Sequence, residues 1–120
     1  MIHPFFFEVP LLIIHRVFFD NYLVEVGPPP IITKSGILLI YNGKNNNNKF
    51  SIGYCIFDKN NPLKLLARVE KPILEPKEYW EKFGKVNNVV FATSLINFKN
   101  KLLLFYGGAD KAIGIAELNL

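Results

Sequence analysis

The chain has 120 residues, half of them apolar, with 14 basic and 10 acidic side chains and a net charge of +4. Such a composition describes one globular domain at most and excludes intrinsic disorder. A single cysteine, Cys55, excludes a disulfide-stapled scaffold, and lysines scattered singly along the chain form no stripe for nucleic acid.

Residues 1–20 are rich in Phe, Leu and Ile, yet they lack the positive start, unbroken apolar run and small-residue cleavage site of a signal peptide. Glu8, Pro10, His15 and Arg16 interrupt the run, which falls short of the about 20 apolar residues a membrane span needs. No membrane partner is expected, and the unpaired cysteine points to the cytoplasm. The β-branched and aromatic content predicts a strand over residues 11–19, preceded by an edge stretch broken by Pro4 and Pro10.

After Gly27-Pro28-Pro29-Pro30 the chain reads as short strands parted by turn residues, and no helical period persists for three turns. The class is all-β. Strands are predicted over residues 31–34, 37–42, 50–58, 63–70, 89–97, 101–107 and 112–118, with turns at Ser35-Gly36, Asn60-Asn61-Pro62 and Lys99-Asn100. The tract Asn45-Asn46-Asn47-Asn48 is expected to be a disordered hairpin tip.

Two of these strands recur. Ile37-Leu38-Leu39-Ile40-Tyr41-Asn42-Gly43 returns as Leu102-Leu103-Leu104-Phe105-Tyr106-Gly107-Gly108, an offset of 65, and Ile52-Gly53 returns as Ile113-Gly114, an offset of 61. A strand repeat at this spacing marks propeller blades, each buried on both faces by its neighbours, and the length accommodates about two. A small sandwich or barrel from the same strands is the competing reading.

The ordered series Gly27-Pro28-Pro29-Pro30-Ile31, Thr33-Lys34-Ser35-Gly36, Leu38-Leu39-Ile40-Tyr41-Asn42-Gly43, Pro72-Ile73-Leu74-Glu75-Pro76 and Tyr106-Gly107-Gly108-Ala109-Asp110 resembles glycoside hydrolase family 130. This family contains β-mannoside phosphorylases and β-mannosidases. The resemblance runs from about Glu25 to Leu118. It divides the chain into an unmatched apolar segment, residues 1–22, and the carboxy-terminal blades of a five-bladed propeller, residues 23–120.

The resemblance also implies a division of chemical labour. The general-acid aspartate and the phosphate-gripping arginines belong to blades that no segment here resembles, so no catalytic residue is assigned. The implied substrate class is a β-mannoside oligosaccharide, and no cofactor is implied. The lysine and histidine that meet phosphate in the phosphorylases correspond to Leu23 and Asn42, which supply no positive charge and weaken the case for inorganic phosphate.

Four residues are candidates for sugar binding. Asp110 matches the family's Tyr-Gly-Ala/Gly-Ala-Asp segment and could accept from two hydroxyls, or equally cap its own turn. Asn42 would face the pocket if the alignment holds. Tyr106, equivalent to Tyr41, either serves the site or packs a blade with its hydroxyl tethered. Glu25 is the nearest carboxylate to activate a water, against the plainer reading of a solvated charge.

Trp80 could stack on a sugar or anchor a linker between blades. His3 and His15 have no ligand partners at metal spacing, so no metal is expected. Exposed blade faces would invite self-association or pairing with a separately encoded half.

Overall fold

The computed structural model describes residues 10–119. His3 and the edge stretch through Pro4 lie outside them.

Among the described residues, two antiparallel sheets contain every strand. In the first, β1 (Leu23–Val26) and β2 (Ile31–Thr33) pair with the two halves of β3 (Gly36–Lys44), followed by β4 (Phe50–Phe57) and β5 (Leu65–Arg68). The second has β6 (Val90–Phe98), β7 (Lys101–Gly108) and β8 (Ala112–Leu118) in sequence order. A single helical turn, α1 (Tyr79–Lys82), precedes the second sheet.

Proline explains the split between β1 and β2. Three consecutive prolines donate no ladder hydrogen bond, so pairing stops after Val26, opposite Tyr41, and resumes at Ile31, opposite Leu38. The second sheet has a smaller interruption at the corresponding place. Ala92 stands opposite Tyr106 and Ser94 opposite Phe105, leaving Thr93 out of register as a bulge.

The hairpins follow their turn residues. Lys99 and Asn100 both have positive φ (49° and 65°), as do Ala109 and Asp110 (49° and 54°). Two successive left-handed residues give the type I′ geometry that matches strand twist. The asparagine tract is ordered, contrary to expectation. Asn45 Oδ1 accepts from the backbone N–H groups of Asn47 (2.9 Å) and Lys49 (3.0 Å), and Asn48 takes φ 61°, which asparagine tolerates.

The core lies between the sheets. Leu38, Ile40 and Ile52 of the first meet Val90, Ala92, Leu104 and Tyr106 of the second. The opposite face of the first sheet carries Tyr41, Cys55 and Phe57, covered in part by Leu12 and Phe19. This last contact corrects the strand expected over residues 11–19. The stretch is irregular, turning where Phe18 N–H donates to the His15 carbonyl (3.1 Å), because its apolar side chains cover a sheet face while its backbone pairs with no strand.

Candidate functional site

Both sheets contain the same arrangement of a tyrosine, a carboxylate and an aromatic ring. In the first sheet the Tyr41 hydroxyl donates to Asp20 Oδ2 at 2.6 Å, and Arg68 Nη2 donates to the same oxygen at 2.8 Å. In the second the Tyr106 hydroxyl donates to Glu81 Oε2 at 2.6 Å. Beside each acid stands an aromatic ring over two glycines. Phe19 lies where a side chain on Gly43 or Gly53 would intrude, and Trp80 lies where one on Gly108 or Gly114 would. The segment Phe18-Phe19-Asp20-Asn21-Tyr22 is thus the counterpart of Tyr79-Trp80-Glu81-Lys82-Phe83, at the same offset of 61 that relates the glycine strands.

These carboxylates are structural. Glu81 is buried, and its other oxygen accepts from the backbone N–H groups of Lys77 and Glu78, both at 2.9 Å, closing a capping box that starts α1. Burial works to raise the Glu81 pKa, but the hydrogen bonds from Tyr106 and the backbone outweigh it and leave the pKa below its usual value. Burial, with the neighbouring carboxylates, pushes both tyrosine hydroxyls well above the ordinary phenol range. Burial also pushes the Cys55 thiol up to about 12, leaving it an unreactive core group.

Asn42 joins the two sheets. It is fully buried, its Oδ1 accepts from Ala92 N–H at 2.6 Å, and its Nδ2 donates to the Ala92 carbonyl at 3.2 Å. The bulge in β6 begins just beyond Ala92, and the amide satisfies both of that residue's backbone groups. Asn42 therefore holds a structural position that differs from the pocket-facing one implied by the resemblance. Tyr106, 5% exposed, likewise has its hydroxyl committed to Glu81.

Glu25 sits opposite Asn42 in the β1–β3 register and is exposed, beside a groove of about 240 Å³ lined by Leu11, Val26, Leu39 and Tyr41. Register pairs Glu25 with Asn42 in the first sheet and Ala92 with Tyr106 in the second, and the Asn42 amide links the two pairs into one group. Asp110 stands apart from it.

Asp110 occupies the β7–β8 turn, where Lys111 N–H donates to the Gly108 carbonyl at 3.0 Å. Ala109 anchors the turn, donating to the Val89 carbonyl at 2.9 Å and accepting from Val86 N–H at 3.2 Å. The Asp110 carboxylate is exposed and caps no backbone group among the described residues. The next residue, Lys111, lines a depression of about 370 Å³ together with Tyr79, Phe83, Gly84 and Lys85. Tyr79 is 77% and Phe83 53% exposed, with ring centroids 5.1 Å apart.

The sequence leaves Trp80 either to stack on a sugar or to anchor a linker between blades, and in the structure its ring is stacked on Tyr106 at 5.7 Å. The exposed pair went unread, although both residues flank Trp80 at the spacing of a helical turn. An open carboxylate, two aromatic faces and two lysines at one sheet end can bind a polyhydroxylated ligand by stacking and hydrogen bonds.

Among the described residues no group of three or more His, Cys, Asp or Glu could hold a metal ion, and no helix is long and apolar enough to cross a membrane.

Two sheets of this pattern, each repeating the same tyrosine, acid and glycine positions, define part of a β-propeller. Comparison with known proteins identifies which. A family model described as β-1,4-mannooligosaccharide phosphorylase matches residues 2–120. The chain belongs to glycoside hydrolase family 130. The match starts inside the apolar segment for which the sequence alone showed no resemblance.

Among relatives, a 1,2-β-oligomannan phosphorylase of Thermoanaerobacter sp. (strain X514) is 42% identical over 84% of this chain and 34% of its own length. The β-1,2-mannobiose phosphorylase of Listeria innocua, solved with β-1,2-mannobiose, superposes with TM-score 0.84 at 34% identity, covering 88% of this chain and 30% of that one. A glycosyl hydrolase from Bacteroides ovatus superposes with TM-score 0.84 at 36% identity, covering 91% and 33%. The chain thus spans about a third of the length of the proteins it matches. Family structures are five-bladed propellers, so the fold here is a partial propeller.

Proposed function

We propose that the chain forms the carboxy-terminal blades of a β-mannoside-active propeller, that the Asp110 turn faces the sugar, and that the chain alone turns over no mannoside. The observation that carries this reading is the exposed Asp110 carboxylate, held on a type I′ turn within Tyr106-Gly107-Gly108-Ala109-Asp110 and next in the chain to Lys111, which lines a depression with Tyr79 and Phe83. The names of the relatives support the substrate class, since they are phosphorylases of β-linked mannosides.

Glycosidic cleavage needs a general acid and, opposite it, a water with its base or a phosphate. Glu25 is exposed and can act on a water or a hydroxyl, but the one other side chain lining its groove with a proton to give, Tyr41, has its hydroxyl committed to Asp20. Phosphate gains no cation from Leu23 or from Asn42, whose amide is committed to Ala92. Asn42 and Tyr106 act on the sugar site indirectly, fixing β3 and β7 from behind.

The test incubates the chain with β-1,2- and β-1,4-mannobiose, with and without inorganic phosphate, and follows mannose and mannose 1-phosphate. Neither product is expected. Turnover that disappears in Asp110→Asn would sink the claim of inactivity. Saturable mannobiose binding by the chain, observed by NMR and weakened in Asp110→Asn, is expected, and binding unaffected by that substitution would remove Asp110 from the site.

A further inference from the structure

The joint between the two sheets can be read as a template, because the sequence repeat carries each of its halves to a second place that no other described residue fills. Leu38, Ile40 and Ile52 form the face of the first sheet that the second covers, with Tyr54 packed against it. The offsets of 65 and 61 carry these positions to Leu103, Phe105, Ile113 and Ile115. Those residues lie on the other face of the second sheet, because Leu104 and Tyr106 point toward the first and side chains alternate along a strand. Ile113 is 84% and Ile115 56% exposed.

The backbone part of the joint repeats as well. Ile52 N–H donates to the Leu74 carbonyl at 2.9 Å, and the Ile52 carbonyl accepts from Ile73 N–H at 2.8 Å, so Pro72-Ile73-Leu74 clips to β4 on the way into the second sheet. The sequence Glu8-Val9-Pro10-Leu11-Leu12 repeats Glu70-Lys71-Pro72-Ile73-Leu74. Leu11 is 47% exposed, and the groove it lines runs along the face of the first sheet that carries Tyr41 and Leu39. That face is the counterpart of the Tyr106 and Leu104 face, through which the second sheet docks on the first.

One chain therefore carries an open socket, centred on Ile113 of β8, and an open plug, centred on Leu11-Leu12, each the counterpart of one half of a joint that is closed inside the same molecule. We propose that a second copy of this chain occupies the socket, its Leu11-Leu12 segment bonding to Ile113 as Ile73-Leu74 bonds to Ile52, in a head-to-tail association. The interface is heterologous: socket meets plug, and each added copy exposes a new socket. Its joint lacks one element, because position 107, the counterpart of Asn42, is a glycine with no amide to offer the incoming strand. This association rests on the repeat and does not depend on what the chain binds.

The test uses light scattering on the full chain and two surface variants, Ile113→Arg in the socket and Leu11→Arg in the plug. The unmodified chain is expected to exceed the 13.7 kDa monomer mass as concentration rises. Each variant alone should remain a monomer, since every contact needs one socket and one plug. An equimolar mixture should recover a species of twice the monomer mass and nothing larger, through the intact socket of one variant and the intact plug of the other. That recovery also shows both variants to be folded. A monomeric unmodified chain, variants that assemble as it does, or a mixture that stays monomeric would each overturn the proposal.

Discussion

Tyr106 donates its hydroxyl to the buried Glu81 carboxylate at 2.6 Å, and Tyr41 repeats the bond to Asp20 in the neighbouring sheet. Each bond ties a strand to the segment before its sheet, and each is a hydrogen bond to a carboxylate out of reach of bulk water. Removing the hydroxyl takes the Tyr106 bond from Glu81 Oε2 and leaves Asp20 Oδ2 with Arg68 alone. Tyr106→Phe and Tyr41→Phe are each expected to cost about 2 to 3 kcal/mol in urea unfolding. A loss below about 0.5 kcal/mol in both, the range of an ordinary surface change, would show that the pair adds nothing.

The same tyrosines set an alkaline limit. A group whose pKa is raised on folding contributes stability that is complete below its unfolded pKa and lost as pH climbs toward the folded value. Unfolded Cys55 and the two tyrosines begin to ionise near their ordinary values of 9.0 and 10.0, while in the folded chain burial keeps all three protonated. Stability measured by urea should be level at neutral pH and fall steadily above pH 9. Glu81 acts oppositely. Its lowered pKa gives stability present above its ordinary value of 4.5 and lost as pH drops below it, so Glu81→Gln should flatten the acid limb.

Asn42 supplies both hydrogen bonds to Ala92, one to its N–H and one to its carbonyl. Asn42→Ala opens a small cavity and strands both backbone groups at the junction of the sheets. The expected cost is about 2 to 4 kcal/mol. Amide hydrogen exchange should speed up at Ala92 well before it does at Cys55, and equal acceleration at the two sites would argue against a local joint.

The glycines of the second sheet offer an internal control. A Cβ at Gly108 would stand 2.6 Å from the Trp80 ring, whereas one at Gly107 would meet nothing within 4 Å. Gly108→Ala is expected to lower stability by roughly 1 to 3 kcal/mol through overpacking, and Gly107→Ala to leave it within about 0.5 kcal/mol. Thermal unfolding of the pair checks the contrast, and equal effects would mean that Trp80 does not hold its place over the glycines.

How much of the fold was legible depended on the segment. The strands from Ile31 onward were readable because runs such as residues 37–42 and 102–106 are continuously apolar and are parted by turn residues. β1 went unread, since four residues with an exposed glutamate carry too little pattern. The run over residues 11–19 has strand-like composition, but composition does not distinguish a chain that pairs from one that covers a sheet face. The repeat of Phe19-Asp20 in Trp80-Glu81 was present in the letters at the known offset, yet an aromatic followed by an acid is too common a pair to notice without the contacts.

The all-β class, the repeat of two blades and the family follow from the amino-acid letters, because these rest on local patterning and on an ordered series of motifs. What the polar residues do emerges from the folded chain. Tyr106 meets Glu81 across 25 positions, and Asn42 meets Ala92 across 50. Strands buried on both faces lose the alternation that reveals which way a side chain points. The arithmetic of 120 half-apolar residues therefore could not separate core from open surface. In the folded chain, Ile52 is sealed at the joint between the sheets while its counterpart Ile113 lies open.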